Sequence, residues 1–411
     1  MTKKYLWPLI AAVVLLPALA FAQTDIAVEN TGTVERPMVE GQPLPETHYV
    51  HTILWTDSDA ASYNVYVSDA PISDIDAANV FQIGTDILAG QQAYEYPLLT
   101  PHTPGDVNNY YAVTASGSSE VTAGVNATTE ATPGTQDWAQ PMFWFTEEPF
   151  IDGDFSEWTF PTVDVSPDNP DNFWSGELDG ADDFSYSAAT GIDADNIYFR
   201  VEAVDDLFVN VNEDGEASIW QGDSMEWYHG MYDLRPSKPR HPTFLFGNES
   251  DPSKAEPDVQ YVIAGNAFDN PQRSHVYLDR ENAGELQTSM GNMGLEVQSL
   301  ETDNGWLIEA RLPLEGLVLD PAVIAKFEAK FGKILPTIYA GNDGDDPAGG
   351  RQVWLASAKD EAAINSWNTP SAYQQEQVIY DPRVFGLGEP SEPSTAVEEQ
   401  SWGQVKSGFS H

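Results

Sequence analysis

The sequence predicts an all-β protein of two β-sandwich domains, a small one followed by a larger one that carries a short helix. Short segments alternate apolar and polar residues with a period of two, which is typical of half-buried strands. Turn residues separate these segments at the spacing of a sandwich. A stretch rich in Thr, Ala and Gly at 126–140 predicts the linker between the two domains.

The composition narrows the possible functions. The 411 residues include 65 Asp and Glu, 18 Lys and Arg and no Cys, and the formal net charge is −47 at pH 7. Without cysteine the chain has no disulfide, no zinc–cysteine site and no thiol nucleophile. Nucleic acid is not expected as a partner, because this charge would repel its phosphates. A surface this acidic fits a secreted protein from salty surroundings.

Residues 1–22 have the pattern of a secretory signal peptide. Two lysines precede an apolar run that ends in Ala20-Phe21-Ala22, a small-x-small cleavage pattern. We therefore expect cleavage near Ala22 and a secreted protein, located outside the cell, on its surface or in the periplasm. No later segment approaches the ~20 apolar residues of a membrane span, so membrane insertion is not expected.

The small domain is predicted at 48–125, after a flexible lead-in at 23–47 that contains three prolines. Its candidate strands lie at 50–55, 62–68 and 110–115. Together these segments resemble a fibronectin type III domain, which carries a core tryptophan on an early strand and a Tyr-x-Val-x-Ala strand near its end. The resemblance implies a β-sandwich spacer whose aromatic residues lie in the core.

The larger domain is predicted at 141–388. Residues 196–204 and 305–312 alternate as strands, whereas 320–331 has apolar residues at four-residue spacing and predicts the short helix. Residues 389–411 are rich in Ser, Glu and Pro near their start and predict a flexible tail. The sequence contains no glycine-rich phosphate loop, no GxSxG elbow and no HExxH motif.

Four motifs follow one another in the larger domain. They read IDGDFSEW at 151–158, DNIYFRV at 195–201 followed by Asp205 and Asp206, WQGDSME at 220–226, and GWLIEARLP at 305–313. In this order they resemble the family 9 carbohydrate-binding modules and the wider dopamine-monooxygenase N-terminal-like sandwich group. The resemblance implies a β-sandwich that binds sugar without catalysing a reaction.

The resemblance also assigns candidate ligand-binding residues. Trp220 and Glu226 match a clamp tryptophan and the glutamate at the end of its motif, and Asn365 with Trp367 matches the second clamp. Aromatic rings stack on the apolar face of a pyranose, while carboxylates and amides bind its hydroxyls, so these residue types suit a sugar. For Trp220, a scaffold role in shaping its loop is an equal alternative.

Two polar positions of the resembled family are apolar in this sequence. Val262 takes the place of an arginine and Ala340 that of a glutamine. Five cationic or titratable side chains at 229–275 either replace the arginine or offset the acidic surface: Arg235, Lys238, Arg240, Arg273 and His275. Three other tryptophans lie in strand-like patterns and are expected in the core: Trp158, Trp306 and Trp354.

Structural calcium is the cofactor that we expect. The segment NDGDD at 342–346 combines hard oxygen ligands with a turn glycine, so Asp343 and Asp345 are the candidate ligands. The resembled family also implies calcium at one site, whereas for any single acidic cluster in so acidic a chain a solvated face is the favoured interpretation. Haem is bound by relatives in the sandwich group but is not expected here, because Met225 and His229 are predicted not to share a strand face.

These observations favour a secreted, non-catalytic carbohydrate-binding protein that supports polysaccharide breakdown by other proteins or captures polysaccharide at a surface. The alternative is a structural or adhesive cell-surface protein that has lost the sugar site. An enzyme is not expected, because a glycosidase needs two carboxylates across a cleft and no catalytic motif or separate catalytic domain is found. The oligomeric state is left open.

Overall fold

The computed structural model describes residues 24–33, 49–100, 105–159, 162–170, 172–208, 219–230, 258–278, 286–317, 329, 334–344, 353–357 and 374–379. Within these ranges the protein is all-β, which confirms the predicted fold class. Its helical segments there are single 3₁₀ turns at Phe155–Glu157, Ile219–Gln221, Met290–Met293 and Leu314–Leu317.

The strands of the described ranges are numbered in chain order. They are β1 Thr24–Thr33, β2 Tyr49–Thr56, β3 Ser62–Ser68, β4 Val80–Leu88, β5 Ala93–Pro97, β6 Leu99–Thr100, β7 Asp106–Ala115, β8 Thr132–Thr135, β9 Asp137–Trp138, β10 Gln140–Trp144, β11 Val163–Val165, β12 Phe173–Gly176, β13 Phe184–Ile192, β14 Asn196–Asp205, β15 Ser224–Gly230, β16 Asp258–Ala264, β17 Ser274–Leu278, β18 Leu286–Ser289, β19 Glu296–Thr302, β20 Gly305–Pro313, β21 Ile334–Asp343, β22 Val353–Ala356 and β23 Gln374–Ile379.

The first seven long strands form a small sandwich. One sheet has the order β1-β2-β5 and the other the order β4-β3-β7-β8, with antiparallel pairing throughout. Alternate residues of both sheets meet in one buried cluster, in which the Trp55 and Tyr63 rings lie 5.9 Å apart. The period-two pattern read from the sequence therefore corresponds to the two inner faces of a sandwich.

The lead-in predicted at 23–47 is in part a strand. Residues 24–33 pair antiparallel with β2, and Ile26 and Val28 pack against the buried cluster. The expectation of a flexible segment is wrong here, because a turn-prone composition does not prevent backbone N–H and C=O groups from pairing with an adjacent strand.

The linker predicted at 126–140 is also ordered in part. Residues 132–135 form β8 and pair with β7. The imidazole of His51 lies buried next to this strand, with its Nδ1 2.6 Å from the hydroxyl of Tyr111 and its Nε2 3.1 Å from the carbonyl oxygen of Pro133. These contacts tie the segment to the small sandwich, so the prediction of a free linker is wrong at 132–135.

The second part of the chain is one 14-stranded sheet that folds over into two layers. Its main path runs β18-β17-β16-β15-β21-β23-β10-β13-β14-β20-β19. Off this path, β22 pairs with β21, β12 pairs with β22, and β11 pairs with β13. Phe199 of β14 lies 5.0 Å from Trp227 of β15 and 4.9 Å from Tyr261 of β16, measured between ring centroids. The main hydrophobic core therefore lies between the β15 layer and the β14 layer.

Several sequence predictions lie outside the described residues. These are the signal peptide at 1–22, most of the helix at 320–331 and the tail at 389–411. In the part of the chain that is described, no helix is long and apolar enough to cross a membrane.

Candidate functional site

The candidate site lies on the outer face of β15. Met225 and Trp227 point into the main core, so Glu226 and Tyr228 point to the opposite side of the layer. His229 is four residues from Met225, which is two full repeats of a strand, so these two residues share the core face. The sequence expectation that they lie on different faces is wrong for that reason.

Glu226 is the centre of a buried hydrogen-bond network. Its side chain is 2% exposed. Its Oε1 accepts a hydrogen bond from Nδ2 of Asn342 at 2.7 Å, and its Oε2 accepts from Nε2 of Gln260 at 2.9 Å and from the hydroxyl of Tyr228. Three donors on one carboxylate satisfy most of its lone pairs and stabilise its burial. Glu226 therefore organises the side chains around it.

The register of the sheet explains why Glu226 has hydrogen-bond donors although the two polar residues expected beside it are replaced by Val262 and Ala340. Glu226 lies directly between Val262 of β16 and Ala340 of β21. Both neighbours are fully buried and apolar. Gln260 stands two residues before Val262, and Asn342 stands two residues after Ala340, so both amides project from the same face. The polar groups therefore lie one strand repeat away from Val262 and Ala340, the two positions where they were expected from the sequence.

Aromatic rings surround this network. Trp220, on the 3₁₀ turn before β15, packs against Val262, whereas Trp354 of β22 and Phe173 of β12 pack against the cluster that contains Tyr228. Trp220, Trp354 and Phe173 are each only partly buried. Trp354 was predicted to be a core residue but lies on this outer face, because it is the direct cross-strand partner of Asn342 and therefore shares its face.

The other tryptophans expected in the core are there, since Trp158 is 5% and Trp306 is 0% exposed. Of the cations considered as replacements for the missing arginine, His275 is the cross-strand partner of Val262. Burial lowers the pKa of His275. Arg273 instead donates a hydrogen bond to the carbonyl oxygen of Asn266 at 3.0 Å.

Six residues named from the sequence lie outside the described residues: Asn365, Trp367, Asp345, Arg235, Lys238 and Arg240. Their part in the site stays a prediction. The residues that sequence reasoning missed are Tyr228, Gln260 and Trp354. Tyr228 and Gln260 could have been predicted from the sequence, because they lie two residues from Glu226 and Val262 respectively and therefore share their strand faces.

Three carboxylates meet at one end of the same strands. Asp205 at the end of β14, Asp223 before β15 and Asp343 at the end of β21 have ligand atoms within 4.8 Å of one another. They are 5%, 3% and 0% exposed. Oδ1 of Asp223 accepts a hydrogen bond from the backbone N–H of Gly344 at 2.9 Å, and Oδ2 of Asp205 accepts one from the Trp306 indole at 2.8 Å.

This carboxylate group fits a hard divalent cation. Buried like charges at such short distances repel one another strongly, and buried charges in proteins are normally paired or bound to metal. Carboxylate oxygens are the ligands that calcium prefers. The group contains Asp343 from the sequence prediction and adds Asp205 and Asp223, which are distant in sequence.

A second buried glutamate explains two of the sequence motifs. Glu309 of β20 is 0% exposed. Its Oε1 accepts a hydrogen bond from the indole N–H of Trp158 at 2.7 Å, and its Oε2 accepts from the backbone N–H groups of Asp152 and Gly153 at 3.0 and 2.9 Å. Burial raises the pKa of Glu309 to about 7, and the three hydrogen bonds limit the rise. The motifs at 151–158 and 305–313 thus meet and stabilise the fold.

Comparison with known proteins gives matches among solved structures. The chain is similar to a family 9 carbohydrate-binding module from Caldicellulosiruptor kristjanssonii in complex with cellotriose, at 16% sequence identity and a TM-score of 0.37, over 58% of this chain and 94% of that chain. A family 9 module from the same organism in complex with glucose gives 15% identity and a TM-score of 0.37, over 58% and 95%. No protein-family profile and no curated protein matches the chain.

Proposed function

We propose that the larger sandwich is a non-catalytic carbohydrate-binding module whose ligand face is the outer face of β15, β16, β21 and β22. The observation that carries the proposal is the group of three partly exposed rings, Trp220, Trp354 and Phe173, around the network of Glu226. Apolar rings next to directional polar groups are the combination that a pyranose requires.

The residues of this face have different roles in the proposal. The rings of Trp220 and Trp354 stack on the C–H face of a sugar. In the described part of the chain, both hydrogen bonds of the Gln260 side chain are made by its Nε2, so its amide oxygen is oriented to accept from a sugar hydroxyl. Glu226 holds Gln260 and Tyr228 in place. Asn365 and Trp367 supply the second clamp.

The remainder of the chain supports this role. The small sandwich has three strands facing four, which is the arrangement expected for a fibronectin type III-like spacer. We propose that the spacer holds the binding module away from its point of attachment. The protein is secreted after cleavage near Ala22 and supports polysaccharide breakdown by other proteins, or captures polysaccharide at a surface.

Calorimetric titration with a panel of soluble polysaccharides tests the proposal. Replacing Trp220 or Trp354 by alanine is expected to weaken binding by about three- to tenfold each, which is the contribution of one stacked ring. Trp174→Ala is the matched control, because Trp174 is 40% exposed and its neighbour on β12, Phe173, points to the other face. Equal losses in all three variants, or no binding by the native protein, would contradict the proposal.

A structural or adhesive role is the second candidate. The observation that favours it is the burial of the floor of the site, since Glu226 is 2% exposed and Val262 and Ala340 are 0% exposed. If no polysaccharide binds while circular dichroism shows an intact fold, this second function is the one supported.

We also propose that the carboxylates of Asp205, Asp223 and Asp343 hold a structural calcium ion. A bound ion would fix the loop that carries Trp220 to the end of β21. Adding calcium at about 100 times its Kd should stabilise the protein by about 2.7 kcal/mol and raise its Tm by several degrees.

Asp343→Asn should remove the calcium effect, whereas Asp303→Asn, at an exposed position, should keep it. A Tm that is unchanged by calcium and by a chelator in the native protein would contradict the calcium proposal.

A further inference from the structure

A second groove lies on the opposite side of the larger sandwich. It has a volume of about 480 Å³ and follows the outer face of β13 and β14. One wall is formed by β11 and the other by the turn between β19 and β20. Ligand pockets in proteins commonly have volumes of about 300–1,000 Å³, so the groove is large enough for a small ligand. The main core separates it from the face that carries Glu226.

The floor of this groove consists of small hydroxyl side chains. Ser185 and Ser187 project outward from β13, because Tyr186 between them points into the core. Val204 of β14 forms the apolar part of the floor and is 39% exposed. Small residues leave space above the sheet. The Ser187 hydroxyl can donate to and accept from a ligand, whereas the Ser185 hydroxyl donates to the carbonyl oxygen of Ala181 at 2.8 Å and can accept from a ligand.

The charged side chains that line the groove are all carboxylates. Asp164 and Glu202 lie on either side of Ser187, because Ser187 pairs with Asp164 on one neighbouring strand and with Glu202 on the other. Adjacent strands are about 4.8 Å apart, so the two acidic residues are separated by about 10 Å at their Cα atoms. Asp303 stands on the opposite wall beside Asn304.

The nearest cation along the same strand face is Arg200, two residues before Glu202. Its guanidinium lies over the ring of Phe155, 4.1 Å from the ring centroid, and interacts electrostatically with the Glu202 carboxylate. This leaves Asp164 and Asp303 as the carboxylates of the groove farther from a cation. Arg200 does not line the groove, and neither does any other lysine, arginine or histidine of the described residues. The groove therefore has a negative potential and favours a ligand that brings positive charge.

We propose that this groove is a binding site for hydroxyl-bearing amines, of which amino-sugar units are the representative class. An ammonium group would pair with the carboxylate of Asp164 or Glu202, and the ring hydroxyls would bond to Ser185, Ser187 and Asn304. The C–H groups of the ring would contact Val204. The site is independent of the proposed ligand face on β15.

The test compares a tetramer of glucosamine with its N-acetylated form, which is neutral, by calorimetry at pH 6 and 150 mM NaCl. The native protein should bind the amine form about tenfold more tightly, since each of two exposed charge pairs contributes a few-fold in affinity. The double variant Asp164→Asn, Glu202→Gln should lose this preference. A Ser187→Arg variant, which fills the floor with a cation, should do the same.

The control for charge alone is the double variant Glu177→Gln, Asp179→Asn. It removes two exposed carboxylates of the same sandwich outside the groove and should bind like the native protein. Trp220→Ala should also bind the amine tetramer normally, which separates this proposal from the sugar face. Equal losses in the two double variants, equal binding of both tetramers, or loss in Trp220→Ala would overturn the proposal.

Discussion

Two buried glutamates on opposite layers of the larger sandwich have similar surroundings and different consequences. Glu226 and Glu309 each accept three hydrogen bonds, and they are 2% and 0% exposed. The donors to Glu226 are side chains of three adjacent strands. Two of the donors to Glu309 are backbone N–H groups of the turn at Asp152 and Gly153.

The type of donor distinguishes the two sites. The side-chain donors of Glu226 belong to the proposed ligand face, whereas the backbone donors of Glu309 belong to a turn that stabilises the fold. Backbone donors have no other partner in a closed turn, so Glu309 is required wherever that turn is formed. Side-chain donors present their remaining polar atoms to a ligand, so Glu226 determines the geometry of a surface. Burial and number of hydrogen bonds are nearly equal for the two residues, and neither property alone identifies a ligand site.

The largest effect is expected from Glu309→Ala. The substitution leaves the indole N–H of Trp158 and two backbone N–H groups unsatisfied, which should lower the free energy of unfolding by about 3–5 kcal/mol. Chemical denaturation measures this loss. Glu296→Ala, at an exposed position on the neighbouring strand, is the control and should change stability by less than about 1 kcal/mol. Similar losses in both variants would contradict the role of Glu309 in closing the turn.

The pH dependence of stability sharpens the comparison. The pKa of Glu309 is about 7 in the folded protein and near its ordinary value of 4.5 in the unfolded chain, so the folded state binds the proton more tightly. Stability from this group is fully present below about pH 4.5 and is lost as the pH rises to about 7. The decrease is on the order of 3 kcal/mol.

Denaturation at several pH values from 4.5 to 8 measures this decrease. In Glu309→Gln the component between pH 4.5 and 7 should disappear, whereas in Glu226→Gln it should remain. If the stability of the native protein and that of Glu309→Gln rise equally between pH 4.5 and 7, other carboxylates determine the pH dependence and the role of Glu309 is contradicted.

A smaller change in stability is expected from Glu226→Gln, which keeps the shape but places an NH₂ group against one of three donors. We expect a loss of about 1–2 kcal/mol in the free energy of unfolding. Because the network that positions Gln260 and Tyr228 loses one of its two acceptor oxygens, polysaccharide binding should fall by more than about tenfold. Glu309→Gln, tested under conditions where it is folded, should bind normally. Normal binding by Glu226→Gln would remove Glu226 from the site.

The smallest effect on stability is expected from Gln260→Ala. Gln260 is partly exposed and shares its acceptor with two other donors, so its loss should cost about 0.5–1 kcal/mol of stability. Binding should still decrease several-fold if its amide oxygen contacts the sugar. Gln298→Ala, at a partly exposed position on β19 of the other layer, should change neither property.

The sequence by itself determined the fold class and the faces of the strands. Alternation with a period of two is a local property of the backbone, so it can be read wherever one face of a strand is buried. It predicted the strands at 62–68, 196–204 and 305–312, which the structure confirms. It also contained the displacement of the polar groups, since Gln260 and Asn342 are each one repeat away from the apolar positions.

Tertiary structure alone decided which strands are neighbours. Asp205, Asp223 and Asp343 come together because β14 and β21 end, and β15 begins, at one edge of the sandwich, and no local pattern relates their positions. The strand at 24–33 formed for a similar reason, since an adjacent strand satisfies its backbone whatever its composition. Pairing between distant segments depends on the packing of the whole chain, and this is why the carboxylate group could be recognised only from the fold.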